Sequence, residues 1–345
     1  MELRAFIELL SKEGRLMQVS REVDWKFELG EIARGHGGPV LFENVKDYPN
    51  ARVFANGLSG AVEVGLALGM GVGLNKGDLL RELKRRKSSP LKPSVVCTGP
   101  VLEEIWTGDD IDLFRFPVPH WNRHDRGRYI GTWHVNVSKD PETGTRNVGV
   151  YRMELLGPRQ ATVSTNSGSH LGTHIAKAER QGRPLEMAVA IGTSEAVVMA
   201  GSAAYPYGVD EYELAGGLQQ ESVSLIECHT VNLEVPADAE IVIEGVIRPG
   251  IRVQDGPYFD YVGKPSVNPR AFLFEATRVM SRRHPIFRGA SIGMPGAEDQ
   301  HLLAALASID LWDFHGSRTK RWLQSYLLKN EFFKAFQLAG RMHLR

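Results

Sequence analysis

The run Asn147-Val-Gly-Val-Tyr-Arg-Met-Glu-Leu-Leu-Gly-Pro-Arg-Gln-Ala-Thr-Val-Ser-Thr-Asn-Ser-Gly-Ser-His170 decides how the rest of the chain is read. Its segments 147–153 and 161–165 flank the turn dipeptide Gly157-Pro158 and read as one β-hairpin, with a loop or helix start following at Ser169-His170. Side chains two apart on a strand share a face, so alternate residues of 147–153 can line one wall of a pocket. An amide (Asn147), a guanidinium (Arg152) and an imidazole (His170) thus come onto one supersecondary unit. Two further polar groups stand outside it: Glu211 in Asp210-Glu-Tyr-Glu-Leu-Ala-Gly-Gly217, and the carboxylate pair of Asp255-Gly-Pro-Tyr-Phe-Asp260.

The surrounding 345 residues suffice for two or three domains, and an apolar fraction of 42% fills their cores. Lys+Arg and Asp+Glu balance at 41 each, so the chain-wide positive field that nucleic-acid binding needs is absent. Cys97 and Cys228 show no CxxC or Cys/His zinc spacing and read as buried structural thiols of a cytoplasmic protein. The N-terminal residues 1–10 place acidic side chains among apolar ones at helical spacing, unlike the basic start of a signal peptide. Residues 187–205 are apolar enough to imitate a membrane span. Glu195 and the Gly192-Thr-Ser194 break divide them into a buried strand, a turn and a helix, and no membrane insertion is expected.

Residues 1–95 read as a small α+β unit: a helix turning Leu3, Phe6, Ile7 and Leu10 inward, a strand near 16–19, a helix near 31–33 and a strand at 40–42. The glycines of 57–73 form no GxGxxG between strand and helix, which argues against a dinucleotide fold. A charged helix at 76–87 and the linker Ser88-Ser-Pro-Leu-Lys-Pro93 close the unit. From 94 to about 292, short β-rich runs follow at 133–137, 147–153, 161–165, 187–191, 224–229, 241–247 and 272–279. A helix is inserted near 173–181, and the pattern indicates a barrel-like or sandwich core. After a helix at 301–307, residues 318–344 form a basic amphipathic segment crowded with Trp322, Tyr326, Phe332, Phe333 and Phe336. It reads as a terminal helix whose apolar face needs a partner, with a membrane-surface helix as the other reading.

Asn147, His170 and Glu211 offer one amide oxygen, one imidazole nitrogen and one carboxylate oxygen, a mixed set that suits octahedral Mn²⁺ or Mg²⁺ better than structural zinc. On residues alone, the simpler readings come first: Asn147 as a turn residue, His170 as a helix-start residue and Glu211 as a solvated cap. Paired carboxylates with an arginine between them permit a division of labour, in which one stays ionised and holds the guanidinium while the other shifts upward and donates a proton. Arg152 is the candidate arginine for Asp255 and Asp260, although Asp-Gly-Pro is also an everyday surface turn. His120, His124 and His134 match no ligand spacing and read as satisfied surface histidines. Ser202 lacks the GxSxG elbow of a serine hydrolase.

Taken together in order, Asn147-Val-Gly-Val-Tyr-Arg152, Ser169-His170, Asp210-Glu-Tyr-Glu-Leu-Ala-Gly216, Leu233-Glu-Val-Pro-Ala-Asp-Ala-Glu-Ile-Val-Ile-Glu-Gly245 and Asp255-Gly-Pro-Tyr-Phe-Asp260 resemble the UbiD-type reversible decarboxylases. Gly37-Gly-Pro-Val-Leu-Phe-Glu-Asn44 and Gly108-Asp-Asp-Ile-Asp-Leu-Phe-Arg-Phe-Pro117 are similar to that family as well. The resemblance implies an α+β protein: an N-terminal α/β domain over 1–95, a split β-barrel cofactor domain of the flavin-reductase type over 96–300, and a helical tail over 301–345. It implies prenylated FMN, with Mn²⁺ (or Mg²⁺) bound through Asn147, His170 and Glu211 and K⁺ nearby. Flavin contacts are implied for Gly149, Val150, Tyr151, Arg152 and Ser169, and for the 202–206 loop at Ala204 and Pro206.

The activity implied is non-oxidative, reversible decarboxylation of an aromatic or α,β-unsaturated acid, with Arg152 binding the substrate carboxylate, Asp255 holding Arg152 and Asp260 supplying the proton. A flavin prenyltransferase is implied as the cofactor source. The family commonly has Glu at the position of Asp255 and Glu or Asp at that of Asp260, so these carboxylates reach one methylene less far. Its members continue past the point matching residue 305 into an oligomerisation domain, with a lysine that contacts the cofactor phosphate. That domain is expected to be largely missing here, which implies a homo-oligomer or a partner chain that supplies it. The alternatives are a non-catalytic flavin-binding subunit of a multi-chain decarboxylase and an ordinary FMN-dependent reductase.

Overall fold

A computed structural model describes residues 1–261, 264–293, 297–299, 301–302 and 306. The chain opens with α1 (Leu3–Lys12), whose Leu3, Phe6, Ile7 and Leu10 are buried as their i, i+3, i+4, i+7 spacing requires. β1 (Met17–Val19), α2 (Glu28–His36), β2 (Val40–Phe42) and β3 (Arg52–Ala55) follow, then α3 (Ala61–Ala67) and α4 (Lys76–Lys87). Gly37 ends α2 in the left-handed region at φ 71°, where glycine carries no Cβ penalty. Asn75 caps α4 by accepting the Asp78 amide.

The remaining elements are β4 (Ser94–Val95), β5 (Glu104–Thr107), β6 (Tyr129–Gly131), β7 (His134–Lys139), β8 (Arg146–Gly149), β9 (Met153–Gly157), β10 (Gln160–Val163), α5 (His170–Arg180) and β11 (Leu185–Ile191). They continue with α6 (Glu195–Gly201), α7 (Glu211–Gln219), β12 (Ser224–Glu227), β13 (Glu234–Pro236), β14 (Ile241–Asp260), β15 (Lys264–Ser281) and β16 (Ile286–Arg288). A large sheet in the order β6-β9-β10-β15-β14-β11-β7-β8, with β5 added to β15, curls into a half-barrel. Both of its faces are covered. Along β11, Ala188 and Ala190 enter one core while Met187, Val189 and Ile191 enter the other, the period-two alternation of a strand. The N-terminal sheet has the order β1-β2-β3-β16, so its fourth strand comes from the far end of the described chain.

One buried ion network ties these parts together. Arg288 donates to Glu195 at 2.8 Å and to both oxygens of Glu298 at 2.8 and 2.6 Å. Trp133 Nε1 donates to Glu195, and the amides of Asn56 and Leu58 donate to Glu298. Burial raises the Glu195 pKa, against the pull of Arg288.

The long hairpin is underestimated by the sequence reading, which ends one strand at 247 and begins the next at 272, whereas β14 and β15 stay paired out to Asp260 and Lys264. The hairpin read at 147–153 and 161–165 also needs correction. Asn147 and Gly149 pair with Ser138 and Asn136 of β7, and the chain pairs with β10 only further on, Leu155 opposite Ala161 and Gly157 opposite Gln160. Between them residues 150–152 leave the ladder: the Tyr151 amide goes to Asn136 Oδ1 and the Arg152 carbonyl accepts the Ser164 amide. A Cβ at Gly149 would lie 2.6 Å from the Tyr151 ring, so any side chain there would displace that ring. Three single-residue readings change too. His134 is fully buried, its pKa lowered to about 4 by burial. Cys97 is exposed, and Cys228 is half-buried, its thiol pushed up by burial.

Residues 187–205 form the buried strand, turn and helix expected of them, and no helix among the described residues is long and apolar enough to cross a membrane. Of the helix read at 301–307, residues 301, 302 and 306 are helical. The rest of it and the 318–344 segment lie outside the described residues.

Candidate functional site

Asn147 lies on β8, 3% exposed, and the next residue's amide, Val148 N, donates to Glu211 Oε2 at 2.8 Å. Glu211 is the first residue of α7, where Asp210 caps the helix by accepting the Tyr212 amide. It is 3% exposed, so the solvated-cap reading is excluded. His170 opens α5 behind the capping hydroxyl of Ser169, which accepts the Gly172 amide, and its Nδ1 lies 3.8 Å from Glu211 Oε1. That distance is too long for a hydrogen bond and is compatible with two ligands of one cation whose bonds are about 2.1 Å. Two helices therefore begin at residues that are neighbours in space, each presenting the positive end of its dipole. Asn147 Nδ2 is buried without a hydrogen-bond partner, and a half-turn of the amide would present its oxygen instead. Residues of this kind fit an oxygen-preferring divalent ion. Among the described residues no group of three His, Cys, Asp or Glu gathers to hold a metal, and this trio contributes only two of those types.

Gly149 ends β8, and Val150, Tyr151 and Arg152 form the bend after it. Ala204 is half-buried and Pro206 exposed in the loop joining α6 to α7. That loop reaches the trio through Tyr207, whose ring meets the His170 ring edge-on at 5.2 Å. Nearby cations are already committed: Arg146 pairs with Asp210 and Glu234, and Lys139 with Glu234.

The bend joins this trio to the second group, because Arg152 meets both carboxylates. Its Nε donates to Asp255 Oδ1 at 2.7 Å, and its Nη1 donates to Asp260 Oδ2 at 3.0 Å and to Ser266 Oγ at 2.7 Å. Thr162 Oγ1 donates to Asp255 Oδ2 at 2.6 Å, and Ser266 Oγ donates to Asp260 Oδ2 at 3.0 Å. Asp255 lies fully buried in β14, which excludes the everyday surface turn. Burial pushes its carboxyl up, opposed by Arg152 and Thr162. Both of its oxygens accept donors, so Asp255 is built to hold. Burial works to lower the Arg152 pKa, and the charges of Asp255 and Asp260 outweigh it. The Asp260 side chain is 22% exposed and Arg152 14%, so this end of the network faces outward.

The sequence reading misses Thr162, Ser266 and Glu154. Glu154 accepts both Arg126 nitrogens at 2.7 and 2.9 Å and the Gly256 amide at 3.1 Å. Its signal was available, since a carboxylate within the otherwise apolar Met153-Glu-Leu-Leu run needs a partner when the strand is buried. Thr162 and Ser266 carry no local signal.

Comparison with known proteins fits this arrangement. The 3-octaprenyl-4-hydroxybenzoate carboxy-lyase Rift-related domain matches residues 94–295, and the N-terminal domain of the same carboxy-lyase matches residues 7–87. Phenolic acid decarboxylase of Escherichia coli O157:H7 is 28% identical over 323 residues, covering 90% of this chain and 68% of that protein. The UbiD-class enzyme HmfF of Pelotomaculum thermopropionicum, solved as an evolved dimeric form in complex with prFMN, superposes with a TM-score of 0.81 at 33% identity, covering 89% of this chain and 70% of that one. Vanillic acid decarboxylase of Sedimentibacter hydroxybenzoicus, in its closed form, superposes with a TM-score of 0.84 at 29% identity, covering 88% and 66%. The chain spans about two thirds of the length of the curated relatives it matches. The fold, the order of the motifs and the two matched domains agree: the chain belongs to the UbiD family of carboxy-lyases.

Proposed function

We propose that this chain is a prenylated-FMN-dependent carboxy-lyase that removes CO₂ from an aromatic or α,β-unsaturated carboxylic acid, with the reverse carboxylation open at high CO₂. The observation that carries the reading is the Arg152 network: a guanidinium held from behind by the buried Asp255 and shared in front with the partly open Asp260. Asn147, His170 and Glu211 would hold Mn²⁺ or Mg²⁺ against the flavin phosphate, with K⁺ nearby. The helix N-termini at His170 and Glu211 favour the same anion. Gly149, Val150, Tyr151, Ser169, Ala204 and Pro206 would line the flavin. When bound, the prenylated flavin supplies the electron sink for the carbon–carbon bond that breaks.

The chain's own residues bind, orient and move the proton. A substrate carboxylate competes with Asp260 for Arg152, because both are anions seeking one charge-assisted partner. When the guanidinium turns to the substrate, Asp260 is released from it to act as the general acid. Asp255 keeps Arg152 from following the departing CO₂. The homologous decarboxylases support a small carboxylic acid as substrate. We assign the cofactor site to a domain over 96–300 and the α/β unit to 1–95, working as a homo-oligomer or with a partner chain in the cytoplasm, and supplied by a flavin prenyltransferase.

The test is reconstitution of the full chain with prenylated FMN and Mn²⁺, followed by CO₂ release across a panel of acids. Turnover of any acid supports the reading. Flavin binding without turnover across the panel would leave a flavin-binding subunit in its place, and NAD(P)H oxidation with plain FMN would leave a reductase. His170→Ala is expected to lose metal, by elemental analysis, and flavin, by absorbance, together.

A further inference from the structure

β14 is twenty residues long, but β11, its neighbour on one side, pairs only with residues 241–247 of it. On the other side β15 continues to Asp260. Among the described residues the stretch 254–260, which carries both aspartates of the site, therefore has one edge without a strand. Main-chain groups on such an edge still need partners.

The loop before β6 supplies them. Arg126 N donates to the Pro257 carbonyl at 2.7 Å, and Arg126 Nη2 donates to the Gln254 carbonyl at 2.8 Å. The Phe259 amide donates to Asp125 Oδ1 at 2.7 Å, and the His124 ring stacks on Phe259 at 5.6 Å. The Asp125 main chain is not free to play this part. Its amide is bonded to the Asn122 carbonyl, and its carbonyl faces His120 Nε2 at 2.9 Å. Only its side chain can reach the strand.

We propose that Asp125 is the positioning residue for Asp260: its carboxylate takes the place of a neighbouring strand's carbonyl and fixes the strand end that carries the acid. The proposal rests on the reading of Asp260 as proton donor given above. Asp125 is 7% exposed, and burial pushes its carboxyl up to about 7, against the Phe259 and Asn122 amides and Arg34. The loop is a firm base for this contact. His120 exchanges main-chain bonds with Trp25 and Phe27 of the N-terminal unit, and Arg34 donates to the Trp121 carbonyl at 3.0 Å and to Ser291 Oγ at 2.7 Å.

The test uses Asp125→Ala and Asp125→Asn in the full chain loaded with prenylated FMN and Mn²⁺. In the alanine variant kcat is expected to fall roughly tenfold or more with KM within about twofold, because only the placement of the acid is lost. Amide hydrogen exchange over 256–260 should accelerate by about tenfold while the other strands keep their protection. Asparagine retains the acceptor oxygen and should restore both. Asp125→Ser shortens the side chain while keeping it polar, and should give the same split if the alanine variant does not fold. Unchanged exchange over 256–260, or acceleration spread over the whole chain, overturns the proposal. Absence of turnover in the unsubstituted protein would remove the proposed function, and the exchange measurement would still decide the role of Asp125.

Discussion

Two of the arginine–dicarboxylate networks among the described residues, one built on glutamates and one on aspartates, differ in exposure. Arg288, Glu195 and Glu298 are each 1% exposed at the side chain, and their remaining contacts are filled by an indole and two backbone amides. Arg152 and Asp260 are 14% and 22% exposed, with only Asp255 sealed. A sealed network cannot exchange a partner without leaving a charge stranded in low dielectric, so it serves cohesion. A network open on one side can trade one carboxylate for another while its anchored side keeps the geometry. Position relative to solvent separates staple from site.

The largest expected effect would come from neutralising the open acid. Asp260→Asn should lower kcat roughly 10²- to 10⁴-fold in steady-state assays while the unfolding free energy from urea titration stays within about 0.5 kcal/mol of the parent. Arg288→Met should do the reverse. It strands two buried carboxylates and should cost about 3–5 kcal/mol by denaturant titration, with flavin affinity per folded molecule unchanged. Loss of stability in both variants, or of turnover in both, would erase the distinction. Thr162→Val probes the anchored side, because it removes the donor to Asp255 and the acceptor of the Glu154 amide. A cost of about 1–3 kcal/mol and a several-fold fall in kcat are expected from paired denaturation and rate measurements.

The last effect is read against pH. Asp125 is raised from an ordinary 3.8 to about 7 in the folded chain, so its contribution to stability is full below about 4 and is lost as pH rises through 7. The melting temperature of the parent minus that of Asp125→Asn should therefore decline from pH 4 to pH 7 and level off above it. A flat difference would mean that Asp125 titrates as an ordinary surface acid.

The chemistry-bearing residues were legible where they stand in contiguous motifs. Asn147, Arg152, His170, Glu211, Asp255 and Asp260 all stand in motifs visible in the sequence, and the structure sets His170 within 3.8 Å of Glu211 and Arg152 against both Asp255 and Asp260. Their supports were not legible, because they arrive by ladder register over about a hundred residues. Ser266 meets Arg152 only because β15 sets it opposite Tyr258, and Thr162 meets Asp255 across 93 positions. The outer half of the long hairpin escaped detection for another reason. Pro249-Gly250 breaks the run 248–254, and the apolar/polar alternation resumes only over the short Ile251-Arg252-Val253-Gln254, although the ladder continues past it. The bend at 150–152 escaped because a glycine within a β-like run gives no sign of which way the chain turns.

β16 closes the N-terminal sheet by pairing in parallel with β3, Phe287 opposite Val53. During synthesis, the first sheet must therefore wait on the ribosome with β3 uncovered until almost two hundred further residues have emerged past the linker at 88–93. A gene split at that linker would yield an amino-terminal fragment with a bare apolar edge, soluble only when the other half is made beside it.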